Sequence, residues 1–374
     1  MITRPPAEIG MPVEEIDTPA LLLDLEAFER NLQRMASAIA DTPIRLRPHA
    51  KTHKCPVIAL RQIAHGAVGV CCQKVSEAEA MVYGGVTDVL ISNEVVGTPK
   101  LHRLASLARQ ARVMVCVDDP GNITDLNEVA LAYKIRLSVL VEVNVGANRC
   151  GVEPGEPVLQ LVQHITQLPG LRFAGLQAYH GAAQHIRDFV QRLEAIQSAV
   201  EKVDHTLDLL QRHGFSCPII SGGGTGTYRF EAESQVYTEL QAGSYIFMDM
   251  DYSRNLDVEG KPWQDFEQSL FVYTTVMSRP TPDRAVVDAG LKALSVDAGM
   301  PGVYQREDLE YVRASDEHGK LVVHDPDCTL RVGDKIRLIP GHCDPTVNLY
   351  DWYIGIRGDR VEAIWPITAR GAVL

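Results

Sequence analysis

The sequence predicts an α/β chain: a (β/α)8 TIM-type barrel joined to a C-terminal all-β domain that includes the N-terminal strand. Three observations point there. Eight short apolar, β-branched segments alternate with amphipathic helical stretches from about residue 25 to residue 255. Beyond Asn255 the helical period stops, and short alternating segments separated by turns take over. Ahead of the first helix, Thr18-Pro19-Ala20-Leu21-Leu22-Leu23-Asp24 is a continuous apolar run that suits a buried strand outside the barrel count.

The first helix spans Leu25 to Ala40. The barrel strands are read at Ile44 to Arg47, Ala67 to Cys71, Asp88 to Ile91, Val113 to Val117, Leu137 to Val143, Phe173 to Ala178, Pro218 to Ser221 and Glu239 to Phe247. Between them, Val75 to Tyr83, Lys100 to Gln110, Pro157 to Gln167 and Ile186 to His213 carry helical periodicity. Leu270 to Met277, Ala285 to Val287, Leu321 to His324, Lys335 to Ile339 and Trp352 to Ile356 read as strands of the second domain. The barrel is therefore assigned to residues 25–255, and the β domain to residues 1–24 and 256–374. A doubly wound open sheet uses the same alternation and is the competing arrangement.

Composition excludes several functions. With 45% apolar and 22% charged residues the chain has ample core and no disordered character. A net charge of −12 without a clustered Lys/Arg run argues against nucleic acid as a partner, because phosphate backbones need a basic stripe. The apolar runs are too short to cross a bilayer and the first residues lack a signal-peptide pattern, which implies no membrane partner and a cytoplasmic address. Eight cysteines without C-x-x-C pairs or regular spacing read as reduced and mostly buried.

In a barrel the C-terminal ends of all strands meet on one face, so the polar residues that follow them become neighbours. Strand one is followed by Arg47-Pro48-His49-Ala50-Lys51-Thr52, which puts a lysine amine at the rim, where a carbonyl cofactor can be held covalently. Gln73 follows strand two, Arg149 lies beyond strand five, and Tyr179 and His180 close strand six. The seventh strand enters Ser221-Gly222-Gly223-Gly224-Thr225-Gly226-Thr227, whose exposed backbone N–H groups and threonine hydroxyls suit a phosphate. It is not a Walker loop, since no Gly-Lys-Ser/Thr follows. An amine and a phosphate cradle on one rim are what pyridoxal 5′-phosphate needs. In Pro340-Gly341-His342-Cys343-Asp344-Pro345-Thr346, His342 and Asp344 are two apart and would point the same way from an extended loop, an imidazole–carboxylate pair suited to a divalent metal.

Taken together, these motifs resemble the D-threonine aldolase and D-serine dehydratase group of the alanine-racemase-like, fold type III pyridoxal phosphate enzymes. The resemblance runs nearly end to end and is carried by Thr18 to Asp24, Arg47 to Thr52, Gln73-Lys74-Val75-Ser76-Glu77-Ala78-Glu79, Arg149-Cys150-Gly151-Val152, Gly222 to Thr227 and His342 to Thr346. It implies Lys51 as the cofactor lysine, beside which the strand-end positions make Gln73, Arg149, Tyr179, Gly223, Gly224, Thr225, Gly226 and Thr227 the candidate cofactor contacts. It also implies His342 and Asp344 as ligands of a divalent metal, manganese first, with magnesium, zinc, cobalt or calcium as alternatives. Asp316 matches a substrate-side position reached across a homodimer interface. The implied reaction is retro-aldol cleavage of a D-3-hydroxy amino acid, D-threonine giving glycine and acetaldehyde, with His49, His53, His180 or a metal-bound water as base at the hydroxyl. The alternatives are dehydration of D-serine or D-threo-3-hydroxyaspartate, aldol cleavage of 3-hydroxyaspartate, and a non-catalytic pyridoxal phosphate-binding role. Where some D-serine dehydratases place cysteine as second ligand, this chain has Asp344, which favours aldol cleavage.

Overall fold

In a computed structural model, which describes residues 4–325 and 327–374, the apolar run before the first helix forms β1 (Ala20–Asp24) and passes directly into α1 (Leu25–Ile39). Met1 to Thr3, assigned above with the β domain, lie outside the described residues. Asp24 caps the helix, its Oδ1 accepting the N–H groups of Glu26 and Ala27 at 3.1 and 3.0 Å.

The barrel strands are β2 (Arg45–Leu46), β3 (Val70–Cys72), β4 (Asp88–Glu94), β5 (Arg112–Val117), β6 (Leu137–Glu142), β7 (Leu171–Gln177), β8 (Ile219–Gly222) and β9 (Glu239–Leu240). The intervening helices are α2 (Pro56–Ala64), α3 (Val75–Tyr83), α4 (Thr98–Leu107), α5 (Pro120–Ala132), α6 (Glu156–Thr166), α7 (Phe189–Arg212) and α8 (Tyr228–Glu233). All strand pairs are parallel, in the order β2-β9-β8-β7-β6-β5-β4-β3. The two ends of that path meet, with Val68 N–H donating to Leu46 O and Cys71 N–H to Pro48 O, both at 2.9 Å. The predicted barrel, not the open sheet, is what forms.

Period-two alternation sorts the strand residues. Cys71, Leu90, Met114, Cys116, Leu140 and Ala174 fill the barrel interior, while Val70, Val89, Val113 and Val115 face the helices. Towards the strand N-termini the interior turns polar. The buried Arg47 guanidinium donates to Glu239 at 2.9 Å and to Asp88 at 2.7 Å. From Glu239 a chain of bonds climbs through Ser221 and Gln241 to Gln177. Removing one partner of a buried pair leaves a charge stranded, so Arg47→Ala should destabilise the fold by about 3–5 kcal/mol in urea titration.

The second sheet contains β10 (Leu270–Thr281), β11 (Arg284–Val287), β12 (Gly302–Val303), β13 (Leu309–Ala314), β14 (Gly319–Val323), β15 (Lys335–Ile339), β16 (Trp352–Arg357) and β17 (Arg360–Pro366). β1 lies at its centre, antiparallel to β10 and parallel to β16.

Two readings need correction. The eighth barrel strand stops at Leu240 instead of Phe247, because the chain bends at Gly243 beneath the Lys51 turn and continues as a 3-10 turn, Ser244–Ile246. A Cβ on Gly243 would sit 2.5 Å from Thr52 Oγ1. The His342 segment is not an extended loop: it enters a short helix, α9 (Cys343–Val347), with His342 as N-cap and Pro345 tolerated in the first turn.

Candidate active site

Lys51 reaches the rim because β2 runs out into the 3-10 turn Ala50–Thr52, ahead of Pro56 at the first turn of α2. The second domain holds that turn from outside. Tyr353 Oη donates to His53 O at 2.7 Å, and Ala369 N–H donates to Lys54 O at 3.0 Å. In return, barrel residues anchor α9. The buried Asp249 accepts Cys343 N–H at 3.0 Å, and Met250 N–H donates to Pro340 O at 2.9 Å. The crossing is tight at Gly341, where a Cβ would lie 2.0 Å from Gly299 O.

The result is a cavity of about 530 Å³ over the strand C-termini, lined by residues of both domains. Lys51, His49, Gln73, Arg149, Tyr179, His342 and Asp344 all line it. Lys51 Nζ lies 2.7 Å from Asp344 Oδ2. Asp344 holds the ammonium well above the ordinary lysine range, against the effect of burial. Burial acts on Asp344 too, but Lys51 and His342 outweigh it and keep the carboxylate well below its usual range.

His342 turns its Nδ1 to Asp297 Oδ2 at 2.8 Å, leaving Nε2 as the nitrogen able to bind an ion. Burial lowers its pKa, yet Asp344 and Asp297 prevail and the net shift is upward. Asp297→Asn should weaken divalent-metal binding by about 10–100-fold in a metal titration while leaving the fold intact, because it removes only the carboxylate that orients the imidazole.

The sequence-predicted bases fare differently. His49 spends both nitrogens on the protein: Nδ1 accepts Lys51 N–H at 3.3 Å, and Nε2 meets Gln73 Oε1 at 3.1 Å and Ser92 Oγ at 3.2 Å. Burial and then the Lys51 charge hold it near pKa 3, so it stays neutral. His53 does not line the cavity; it is buried under the turn, also near 3 by burial, with Nδ1 taken by Cys55 N–H. His180 packs over Gly146 and does not itself line the cavity, although its neighbours Tyr179 and Gly181 do. A further imidazole near the cavity, that of His185, is not among the predicted bases. It lines the cavity, its Nδ1 lies 2.5 Å from Asp251 Oδ2, and its Nε2 has no partner among the described residues. Arg187 also binds Asp251; although burial raises that carboxyl, His185 and Arg187 bring it down to about 2, so it remains ionised opposite the imidazole.

The glycine-rich loop stands behind the lining residues. Gly223, Gly224, Thr225, Gly226 and Thr227 are all buried, and none lines the cavity directly. Gln184 Oε1 takes Gly226 N–H at 3.0 Å, and Thr227 Oγ1 donates to Glu231 at 2.8 Å, so those two donors are committed, contrary to the sequence reading. The N–H groups of Gly223 and Thr225 have no acceptor among the described residues. Two buried orphan donors beside cavity-lining Ser244, whose neighbour Tyr245 donates its N–H to Thr225 Oγ1 at 3.0 Å, fit an anion such as a phosphate tail. Asp344 and His342, both lining the cavity, offer a carboxylate and an imidazole, a donor set that fits a divalent cation. Asp316 lies on the exposed turn between β13 and β14 and does not line this chain's cavity.

A second donor cluster, Glu94, Glu142 and Cys150, has its ligand-type atoms within 4.8 Å of one another. Burial, with Glu94 alongside, pushes the Glu142 carboxyl up to about 9.

Known proteins match this chain along nearly its whole length. The family model described as "Alanine racemase, N-terminal domain" matches residues 23–251, and one described as "Putative serine dehydratase domain" matches residues 269–356. The chain is 49% identical over 370 residues to a 3-hydroxy-D-aspartate aldolase of Paracoccus denitrificans, covering 98% of this chain and 95% of that one. It is 48% identical to a D-threonine aldolase of an Arthrobacter species, covering 98% and 96%. The crystal structure of D-threonine aldolase from Filomicrobium marinum superposes with a TM-score of 0.96 at 52% identity, covering 100% of both chains.

Proposed function

The chain belongs to the alanine racemase N-terminal domain family, and on that premise we propose that it is a carbon–carbon lyase that cleaves D-3-hydroxy amino acids, D-threonine giving glycine and acetaldehyde. One observation carries the reading: the rim lysine of the barrel and the carboxylate of the β domain meet at 2.7 Å, with His342 in the same cavity. Pyridoxal phosphate bound through Lys51, with its phosphate at Gly223, Thr225 and Ser244, supplies the sink for the electron pair left at Cα, and a divalent metal, manganese first, supplies a Lewis acid at the substrate hydroxyl.

This chain's own residues do the rest. His342 and Asp344 hold the metal, and Asp297 keeps the imidazole turned towards it. Arg149, Tyr179 and Gln73 bind the polar edge of the ring. The His185–Asp251 pair takes the proton from the substrate hydroxyl at Nε2 as the Cα–Cβ bond breaks and the aldehyde departs, and a proton returned to Cα completes glycine and restores the neutral imidazole. His49, held neutral, walls off the cavity without exchanging a proton. In this reading the protein is a cytoplasmic homodimer, and Asp316 serves the partner's cavity.

Dehydration is the second reading, favoured by the putative serine dehydratase match over residues 269–356. Incubating metal-loaded holoprotein separately with D-threonine, D-3-hydroxyaspartate and D-serine separates the two. Glycine with acetaldehyde or glyoxylate supports aldol cleavage. A 2-oxo acid with ammonia and no glycine would replace it with elimination.

A further inference from the structure

At the end of the barrel opposite the cavity, a second hollow of about 280 Å³ opens among the strand N-termini. Four arginines line it: Arg45 at the start of β2, Arg47 just beyond that strand, Arg112 at the start of β5 and Arg172 in β7. Two are spoken for. Arg47 is neutralised by Asp88 and Glu239, and Arg112 shares Asp88 at 3.1 Å. Arg172 makes one hydrogen bond, to Ser138 Oγ at 2.7 Å, and has no carboxylate partner among the described residues. Arg45 has no side-chain partner at all among them.

Four guanidinium groups thus face two carboxylates, an excess of two positive charges in a chain whose net charge is −12. The walls between them are apolar, with Phe173, Pro218 and Ile219, so the field of the unpaired arginines is concentrated in the hollow. Planar guanidinium groups converging from separate strands match the tetrahedral face of an oxyanion.

We propose that this mouth is a binding site for a phosphate dianion, free or carried on a small metabolite, held by Arg45 and Arg172 above a floor of Arg112 and Arg47. The site is separate from the cavity over the strand C-termini and does not depend on the reaction assigned there. The paired Arg47, Asp88 and Glu239 floor is fixed, whereas Arg45 and Arg172 carry no carboxylate partner among the described residues, and Arg172 is held only by its bond to Ser138.

The test is isothermal titration of the holoprotein, its cofactor site saturated, with inorganic phosphate and in parallel with glycerol 3-phosphate, at ionic strength held constant with sodium chloride. Saturable binding of one equivalent is expected for the unaltered chain, weakened about 100-fold in Arg45→Ala/Arg172→Ala, about tenfold for each charged donor lost, or roughly 1.4 kcal/mol apiece. Phosphate captured by a loosely bound metal is common to both proteins and cancels. Both side chains are exposed, so the double variant should keep its far-UV spectrum and melting temperature, and the separate single change Arg112→Gln should weaken binding about tenfold. Preference for glycerol 3-phosphate over inorganic phosphate would identify a metabolite, and the reverse preference the free ion. Equal affinity in the unaltered and double-variant proteins, or no saturable binding in either, would overturn the proposal.

Discussion

Lys51→Ala should lose the visible absorbance of the bound cofactor and lower turnover by on the order of 10⁴-fold or more, because no other amine lines the cavity among the described residues. The fold should survive. The lysine side chain is 44% exposed, so its pairing with Asp344 is solvent-screened, and its loss should cost less than about 1 kcal/mol. The Ala50–Thr52 turn is held by Tyr353 and Ala369, not by the amine. Absorbance, steady-state turnover and a urea midpoint on one preparation give the three readouts. Retained colour together with full turnover would remove Lys51 from the mechanism.

The second large effect is expected at the β-domain pair. His342→Ala and Asp344→Asn should each lower turnover by about 10²–10³-fold and abolish stimulation by manganese, while leaving cofactor colour in place. Because both act through one ion, the double variant should be little worse than either single one. Chelation of the unaltered protein should reproduce the phenotype and added metal should reverse it. Since Asp344 and Asp297 raise the His342 pKa, the imidazole keeps its proton to higher pH, and that proton competes with the metal. Metal affinity should therefore rise with pH and fall as His342 protonates on acidification. Full turnover in the metal-free His342→Ala protein would displace the metal from the mechanism.

The barrel could be read from periodicity because its strands alternate strictly, as Val113, Met114, Val115 and Cys116 do. α2 and α5 went unread for a local reason. α5 opens Pro120-Gly121-Asn122, which looks like a turn, although Asp119 as N-cap with proline at the first position is also a helix start. Lys51, Gln73, Tyr179, His342 and Asp344 were legible because each follows a strand or carries a compact motif. His185 was not: it sits in a 3-10 turn well beyond the end of β7, and its partner Asp251 comes from a distant loop. Asp297 lies in irregular chain and acquires its role only where it meets His342. Nor could the sequence show that Gln184 would occupy the Gly226 N–H, since nothing near residue 184 resembles a loop partner.

The central placement of β1 also sets the order of events during synthesis. Leu23 pairs with Leu270 and Leu22 with Ile354, so one side of β1 can be covered once β10 has been synthesised, and the other only when the chain has passed residue 356.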